Sequence, residues 1–358
     1  MKVVHLVTSL DFGGLERRME ILSRYPSKNS ELVFCALGGG GATYKKMLLQ
    51  ESNVHLMNCD PRIFNVSTLW ALVKFLRSQG PDVLHTHGCE ANFYGQIAGL
   101  ILGVRVRVAE EIGIPNLGFL ARIIFSFVFK FSQVVIAMSP AVEDFLCKNR
   151  IAKKKKIKSV YNPVLLSNKR KDKKNNDGIR FVFVGRLESV KNPVGLLRAF
   201  HTLLTERSDV YLVYVGDGGQ RNEIDSYIEN YRIGEHVKCM GFSIDPLSIA
   251  LECDVVVQPS HSEGFSLALV EAMSCGLPAV ATPSGSARNL VSNGVNGWVV
   301  DSSSDEDILA GLRLAADAKA DLAQMGVLAA DMVANKHDPR LYAMKLDELY
   351  LSLGGCQR

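Results

Sequence analysis

Short runs of β-branched and aliphatic residues alternate with longer stretches of helical periodicity along nearly the whole chain, and the series runs twice. This alternation constrains the fold more than any single motif. Strands separated by helices pair in parallel, because the chain needs a crossover to return to the same edge of a sheet. The first series predicts strands over 3–8, 32–36, 54–57, 83–86, 104–109 and 134–138, with helices beginning near Leu15, Thr43, Val66 and Asn92. It stops near Tyr161, and residues 167–178 (SNKRKDKKNNDG) follow with no apolar content, the composition of a linker. The second series predicts strands over 179–184, 210–215, 237–240, 255–259, 279–281 and 297–300. Its helices begin near Asn192, Gly219, Asp245, Leu267 and Ala287, with another over 305–318 and an amphipathic one over 338–353.

The expected fold class is α/β, with one Rossmann-like domain over 1–165, a second over 176–335 and a terminal helix over 338–353. Ligands of such sheets bind beyond the carboxyl ends of the strands, so a central cleft between the domains is the expected site. The length of 358 residues suits two domains, and 47% hydrophobic against 22% charged residues excludes a disordered chain. None of the eight cysteines forms a CxxC pair, which excludes zinc-finger and thioredoxin readings and suits a reducing cytoplasm. The apolar run that opens the chain is too short for a signal peptide and reads as the first strand.

Charge is unevenly shared. Residues 1–174 hold 26 Lys and Arg against 13 Asp and Glu; residues 175–358 hold 15 against 24. The lysines at 153–156 with Lys158, and the basic run over 169–174, read either as a solvated connector or as a surface for an anionic partner. No stretch reaches the roughly 18–20 apolar residues of a spanning helix. The nearest, residues 117–138, is broken by Arg122, Ser126, Lys130, Ser132 and Gln133, while Phe119, Ile123, Phe127 and Lys130 fall near helical spacing. That segment is expected to be a buried helix followed by a strand, or a helix lying in a membrane interface.

Three features follow strand ends. Gly13-Gly14 opens the first helix, where backbone N–H groups and the helix terminus suit an anion, although tight turns use the same pair. Arg186 and Lys191 lie five apart in the first loop of the second half, a spacing that suits two sides of a diphosphate or merely an exposed basic pair. The third, His261-Ser262-Glu263-Gly264-Phe265-Ser266-Leu267-Ala268-Leu269-Val270-Glu271, is the most specific. It places one carboxylate before a helix and another about a turn and a half inside it. Between them, Gly264, Phe265, Ser266 and Leu267 offer backbone donors. Such a device can hold a sugar, a diphosphate and a ribose together.

These residues resemble those of the retaining glycosyltransferases of family GT4, which have the GT-B fold of two Rossmann-like domains facing a central cleft. The resemblance rests on Glu263 to Glu271 (E-x7-E), Gly185-Arg186 with Lys191-Asn192-Pro193, Val215-Gly216-Asp217-Gly218, Met240-Gly241-Phe242, and the run over 254–260. Gly276-Leu277-Pro278, the GVNGW run over 294–298, Gly13-Gly14 and the DVLHTH run over 82–87 also fit. It implies that the first domain binds acceptor and the second binds donor. Arg186 and Lys191 would neutralise the donor diphosphate, and Gly14 would offer it an amide. Glu271 would hold the ribose, and Met240-Gly241 would border the base. Glu263 with the amides of Gly264, Phe265, Ser266 and Leu267 would hold sugar and phosphate.

Many members carry a His where this chain has Glu111; a carboxylate there would bond a donor-sugar hydroxyl or favour a cationic transition state. His85, His87 and Glu110 are candidates for the acceptor side. No metal is expected at the His85/His87 pair, because no third ligand stands at useful spacing in sequence. The implied activity is metal-independent transfer of a hexose or N-acetylhexosamine, with retention, from a nucleotide-diphosphate sugar (UDP favoured) to an acceptor hydroxyl. The acceptor would be a lipid-linked glycan or polysaccharide of the cell surface, reached from the cytoplasm by peripheral contact with an anionic membrane. No cofactor and no nucleic acid enters that reading. Its alternatives are a non-catalytic nucleotide-sugar-binding subunit and a nucleotide-sugar epimerase; an NAD oxidoreductase is disfavoured because no GxGxxG follows either first strand.

Overall fold

The computed structural model describes every residue except 12, 114–117, 139, 161, 167–177, 264 and 355–358, and every side chain of the remainder except those of Phe119, Pro140 and Ala141. The chain divides into two compact units, Met1–Val164 with His337–Arg358, and Leu165–Lys336.

The strands of the first unit are β1 (Lys2–Val7), β2 (Glu31–Ala36), β3 (Val54–Leu56), β4 (Val83–His87), β5 (Val106–Glu111), β6 (Val134–Ala137) and β7 (Ile157–Ser159). They pair in parallel in the order β3-β2-β1-β4-β5-β6-β7. Its helices are α1 (Gly14–Arg24), α2 (Ala42–Leu49), α3 (Val66–Gln79), α4 (Cys89–Ile101), α5 (Phe119–Val128) and α6 (Pro140–Lys148). The second unit holds β8 (Ile179–Val184), β9 (Val210–Val215), β10 (Val237–Cys239), β11 (Val255–Gln258), β12 (Ala279–Ala281) and β13 (Gly297–Val299), in the order β10-β9-β8-β11-β12-β13. Between and after them run α7 (Pro193–Glu206), α8 (Arg221–Tyr231), α9 (Pro246–Ala250), α10 (Leu267–Ser274), α11 (Ala287–Leu290), α12 (Asp305–Asp317) and α13 (Leu322–His337). The last helix, α14 (Pro339–Ser352), belongs to the first unit.

Successive side chains of a strand point to opposite faces, and each sheet uses both. In the first unit Val4 and Leu6 pack in one cluster under α3 to α6, while Val3 and Val7 pack in another with Met19 of α1 and Tyr342, Leu346 and Tyr350 of α14. In the second unit Phe181, Phe183, Phe200 and Leu212 centre the largest cluster. Helix starts are fastened locally. Asn65 accepts from Ser67 N and Thr68 N, Ser304 from Asp307 N, and Asp338 from Arg340 N and Leu341 N, each satisfying amides that a helix leaves open.

The strands expected from sequence are present with bounds shifted by two residues at most. Three further elements were not expected: β7, α6 and α13. The buried helix followed by a strand expected in 117–138 is present, but the helix is buried on one face only. Phe125, Val128 and Phe129 are buried, but Leu120, Ile123 and Phe127 stand exposed. No helix among the described residues is long and apolar enough to cross a membrane.

Both strand orders reverse once, between β1 and β4 and between β8 and β11. At such a reversal the loops leaving adjacent strands turn to opposite faces and open a crevice at the carboxyl ends. Those two places organise the polar residues of each unit.

Candidate active site

In the second unit, Lys191 leaves β8 through a single 3-10 turn, Ser189–Lys191, and Glu263 leaves β11. They meet across the reversal point as an ion pair, Lys191 Nζ to Glu263 Oε1. The same oxygen accepts from Gln258 Nε2 at 3.0 Å and from Ser260 Oγ at 2.9 Å. Three donors on one oxygen hold the carboxylate in a single orientation. Ser266, the N-cap of α10, turns its hydroxyl to Gln258 Oε1 (2.8 Å) and makes no capping bond. The first amides of α10 are therefore free of a side-chain cap beside the pair, a place where backbone N–H groups and the helix dipole favour an anion. Glu271 sits half-buried on the same helix, between the buried Val270 and Ala272. Gly264 lies outside the described residues, so its amide is not placed.

Arg186 is exposed just past β8, and among the described residues its guanidinium makes no hydrogen bond or ion pair. Its loop is pressed against its neighbours. The Gly185 amide donates to Val215 O at 3.0 Å, and that of Gly216 to Gly241 O at 2.8 Å. A Cβ on Gly216, whose φ is 142°, would stand 1.9 Å from Gly185 O, so only glycine fits between these strand ends. Met240 and Gly241 follow β10, two strands from β8, with Met240 about half exposed. Asn192 (φ 54°) then starts α7 by accepting from Gly195 N and donates to Ser303 O, which braces the segment carrying Lys191. The structure thus unites Lys191, Glu263 and Ser266, with Arg186 and Met240-Gly241 on neighbouring strand ends of the same sheet. Gln258 and Ser260 were missed in the sequence, though two polar residues closing an otherwise aliphatic strand were a usable signal.

The first unit treats its polar residues differently. Gly14 is exposed at the start of α1, after β1. His85, His87 and Glu110, expected on the acceptor side, are wholly buried under α1 and α14. Arg18 of α1 pairs with Glu110 at the end of β5 and donates to Asn162 Oδ1 at 2.9 Å. His87 Nδ1 lies 3.0 Å from Glu110 Oε2, and its Nε2 lies 3.0 Å from His5 Nδ1. His85 Nε2 approaches Glu110 Oε2 at 3.2 Å, and its Nδ1 meets Tyr350 OH of α14 at 2.7 Å.

Burial, with His85 beside it, lowers the His87 pKa to about 3. Burial and the neighbouring histidines likewise hold His5 well below its ordinary value, and burial lowers His85. Burial acts to raise Glu110, but the charge of Arg18 and the facing histidines outweigh it and keep the carboxyl well below the usual range. The expectation that no third ligand stands near the histidine pair also fails. His5, paired in register with His85, brings a third imidazole, and the ligating atoms of the three lie within 4.8 Å of one another. The fixed cation of Arg18, 3.3 Å from His87 Nδ1, opposes a further cation there.

Glu111 points to the other face of β5, 95% buried, with its oxygens 3.9 and 4.0 Å from Cys89 Sγ. Burial pushes its pKa up to about 8, and the charges of Glu110 and Glu90 add to the shift. Burial thus favours the protonated carboxyl, which can donate a hydrogen bond.

Comparison with known proteins covers both units. Residues 166–329 match the model of glycosyl transferases group 1, and residues 12–167 match that of glycosyltransferase family 4. The chain belongs to glycosyltransferase family 4. A relative, the N-acetylgalactosamine-N,N'-diacetylbacillosaminyl-diphospho-undecaprenol 4-alpha-N-acetylgalactosaminyltransferase of Campylobacter jejuni, is 25% identical over 327 residues, 86% of this chain and 88% of that one. The UDP-Gal:alpha-D-GlcNAc-diphosphoundecaprenol alpha-1,3-galactosyltransferase of Escherichia coli is 26% identical over 260 residues, 67% of each chain. Among solved structures, HepE of Anabaena in complex with UDP superposes with a TM-score of 0.86 at 21% identity, over 98% of this chain and 100% of that one. The fold is GT-B, two Rossmann-like units of parallel sheet, and the family activity is glycosyl transfer in glycan synthesis.

Proposed function

We propose that this glycosyltransferase moves a hexose or N-acetylhexosamine from a UDP-sugar to a hydroxyl of a lipid-linked or polysaccharide acceptor, with retained anomeric configuration and without a divalent ion. The observation that carries the reading is the Lys191–Glu263 pair at the reversal point of the second sheet, beside the uncapped start of α10. A donor diphosphate competes with Glu263 for Lys191 and draws in the exposed Arg186. The amides of α10 take further phosphate oxygens. The anomeric carbon–oxygen bond breaks, negative charge grows on the leaving diphosphate, and those cations and amides stabilise it in place of a metal. The acceptor oxygen bonds to the anomeric carbon on the same face, and its proton passes to a leaving phosphate oxygen.

Glu263, once released by Lys191, orients a sugar hydroxyl; Glu271 accepts from the ribose and Met240-Gly241 borders the base. The choice of UDP and of a lipid-linked acceptor is supported by the names of the Campylobacter and Escherichia relatives and by UDP in the Anabaena structure. Such an acceptor places the enzyme at the cytoplasmic face of a membrane.

The test is a thermal-shift series with UDP, GDP, ADP and NAD in EDTA, followed by single-turnover transfer from UDP-sugars. A ligand at a hundred times its Kd adds about 2.7 kcal/mol. UDP alone should raise Tm, and Lys191→Ala should abolish the rise. Stabilisation by NAD, or binding without any transfer, would refute the reading.

A further inference from the structure

Helix α5 has two apolar faces. Phe125, Val128 and Phe129 fill the core, while Leu120, Ile123 and Phe127 on the other side are 74%, 51% and 57% exposed. Positions 120, 123 and 127 follow the i, i+3, i+7 spacing of one helix face. Leu100 and Ile101, at the end of the adjoining α4, are also exposed.

The structure then joins a basic element to that face. Lys156 Nζ donates to Lys130 O at 3.1 Å and to Ser132 O at 2.7 Å, which fastens the lysine turn at 153–156 to the segment that ends α5. Lys130 Nζ itself stands 5.6 Å from the ring centre of Phe127, and Phe131 packs its edge there at 5.1 Å. Lys153, Lys154, Lys155 and Lys158 are exposed, and none has an acidic partner among the described residues. In sequence this cluster read equally well as a solvated connector. In the fold it is a turn tied beside an apolar stripe.

We propose that this face of the first unit docks on an anionic lipid bilayer, with Leu120, Ile123 and Phe127 entering the acyl boundary and the lysines at 153–155, 130 and 158 meeting the headgroups. It deepens the proposed reading by naming the surface that brings the enzyme to a lipid-linked acceptor. The argument is complementarity: a short, exposed apolar stripe bordered by unpaired lysines matches a bilayer whose interior is apolar and whose surface is negative. Lysine stems also let apolar carbons lie along the boundary while the charge stays at the headgroups.

The experiment is flotation of the full chain with vesicles of phosphatidylcholine, alone or with one quarter phosphatidylglycerol. The protein should float with the anionic vesicles at low salt, and far less with phosphatidylcholine alone or in 1 M salt. Ile123→Ser with Phe127→Ser should cut binding at least tenfold, and Lys153→Gln with Lys154→Gln and Lys155→Gln should do the same. Both sets alter exposed side chains, and the lysine set keeps the test open if the apolar set unfolds. Unchanged flotation of either folded variant would overturn the proposal. So would a dimer, seen by sedimentation, that Phe127→Ser dissolves while wild type ignores vesicles, because the face would then bind a second copy. The UDP thermal shift of the same variants separates the two readings: it should persist when flotation is lost, and its absence in wild type would strike the donor reading alone.

Discussion

The two units share one strand order and use its reversal point in opposite ways. In the second, the residues that meet between β8 and β11 are an ion pair beside an uncapped helix, with the Lys191 side chain still 21% exposed and able to exchange partners. In the first, the residues of β1, β4 and β5 close into a buried knot of His5, His85, His87, Glu110 and Arg18, tied to α14 through Tyr350. One arrangement leaves charge free for a ligand. The other uses charge to fasten α1 and the last helix to the sheet. A common topology therefore does not dictate a common use of its polar residues; the depth at which the side chains lie does.

The sharpest way to break this comparison is to remove one charge from each unit. Arg18→Met leaves Glu110 buried without its cation and should cost about 3–5 kcal/mol in urea unfolding. Lys191→Met leaves Glu263, whose side chain is 7% exposed, with donors from Gln258 and Ser260, and should cost less, about 1–3 kcal/mol. A reversed order of losses would refute the division into fastening and functional charges. In turnover the order inverts: Lys191→Ala should slow transfer about 10²–10³-fold, the scale of losing one preorganised contact to developing charge.

A pH-dependent effect of comparable size concerns Glu111. Its carboxyl is raised from 4.5 to about 8, so between those values the folded chain holds a proton that the unfolded chain releases. Stability from this group is full below the unfolded pKa and is lost as pH rises through about 8, at about 1.4 kcal/mol per pKa unit. Glu111→Gln should flatten that decline. Unfolding series at pH 5 and pH 8 measure it, and a parallel fall in both proteins would show that Glu111 is ionised throughout. The smallest expected effect tests the tie of α14 to the first unit. Asp338→Ala removes the cap formed with Arg340 N and Leu341 N and should cost about 1 kcal/mol by urea unfolding.

Much of the fold was legible because strand and helix periodicities are local. Strands 179–184, 210–215 and 279–281 were read to the residue. The misses have local causes as well. In β7 only Ile157 is buried, while Lys158 and Ser159 are exposed, so no alternation marks it. Helix α13 is rich in Ala and includes Gly326, whose Cβ would stand 2.0 Å from Gly276 O, a packing need that blurs its periodicity. The lysine turn looked like a connector because its tie to Lys130 and Ser132 is a tertiary contact.

By itself, the sequence determined the α/β class and both series of strands, because each rests on composition or short spacing. Only the tertiary structure decided which of the polar residues stay accessible. His5 and His85 stand 80 residues apart in the chain and side by side in the sheet. Arg18 reaches Glu110 across still more sequence. Register between distant strands and the docking of α1 and α14 set that burial, and no local pattern encodes either.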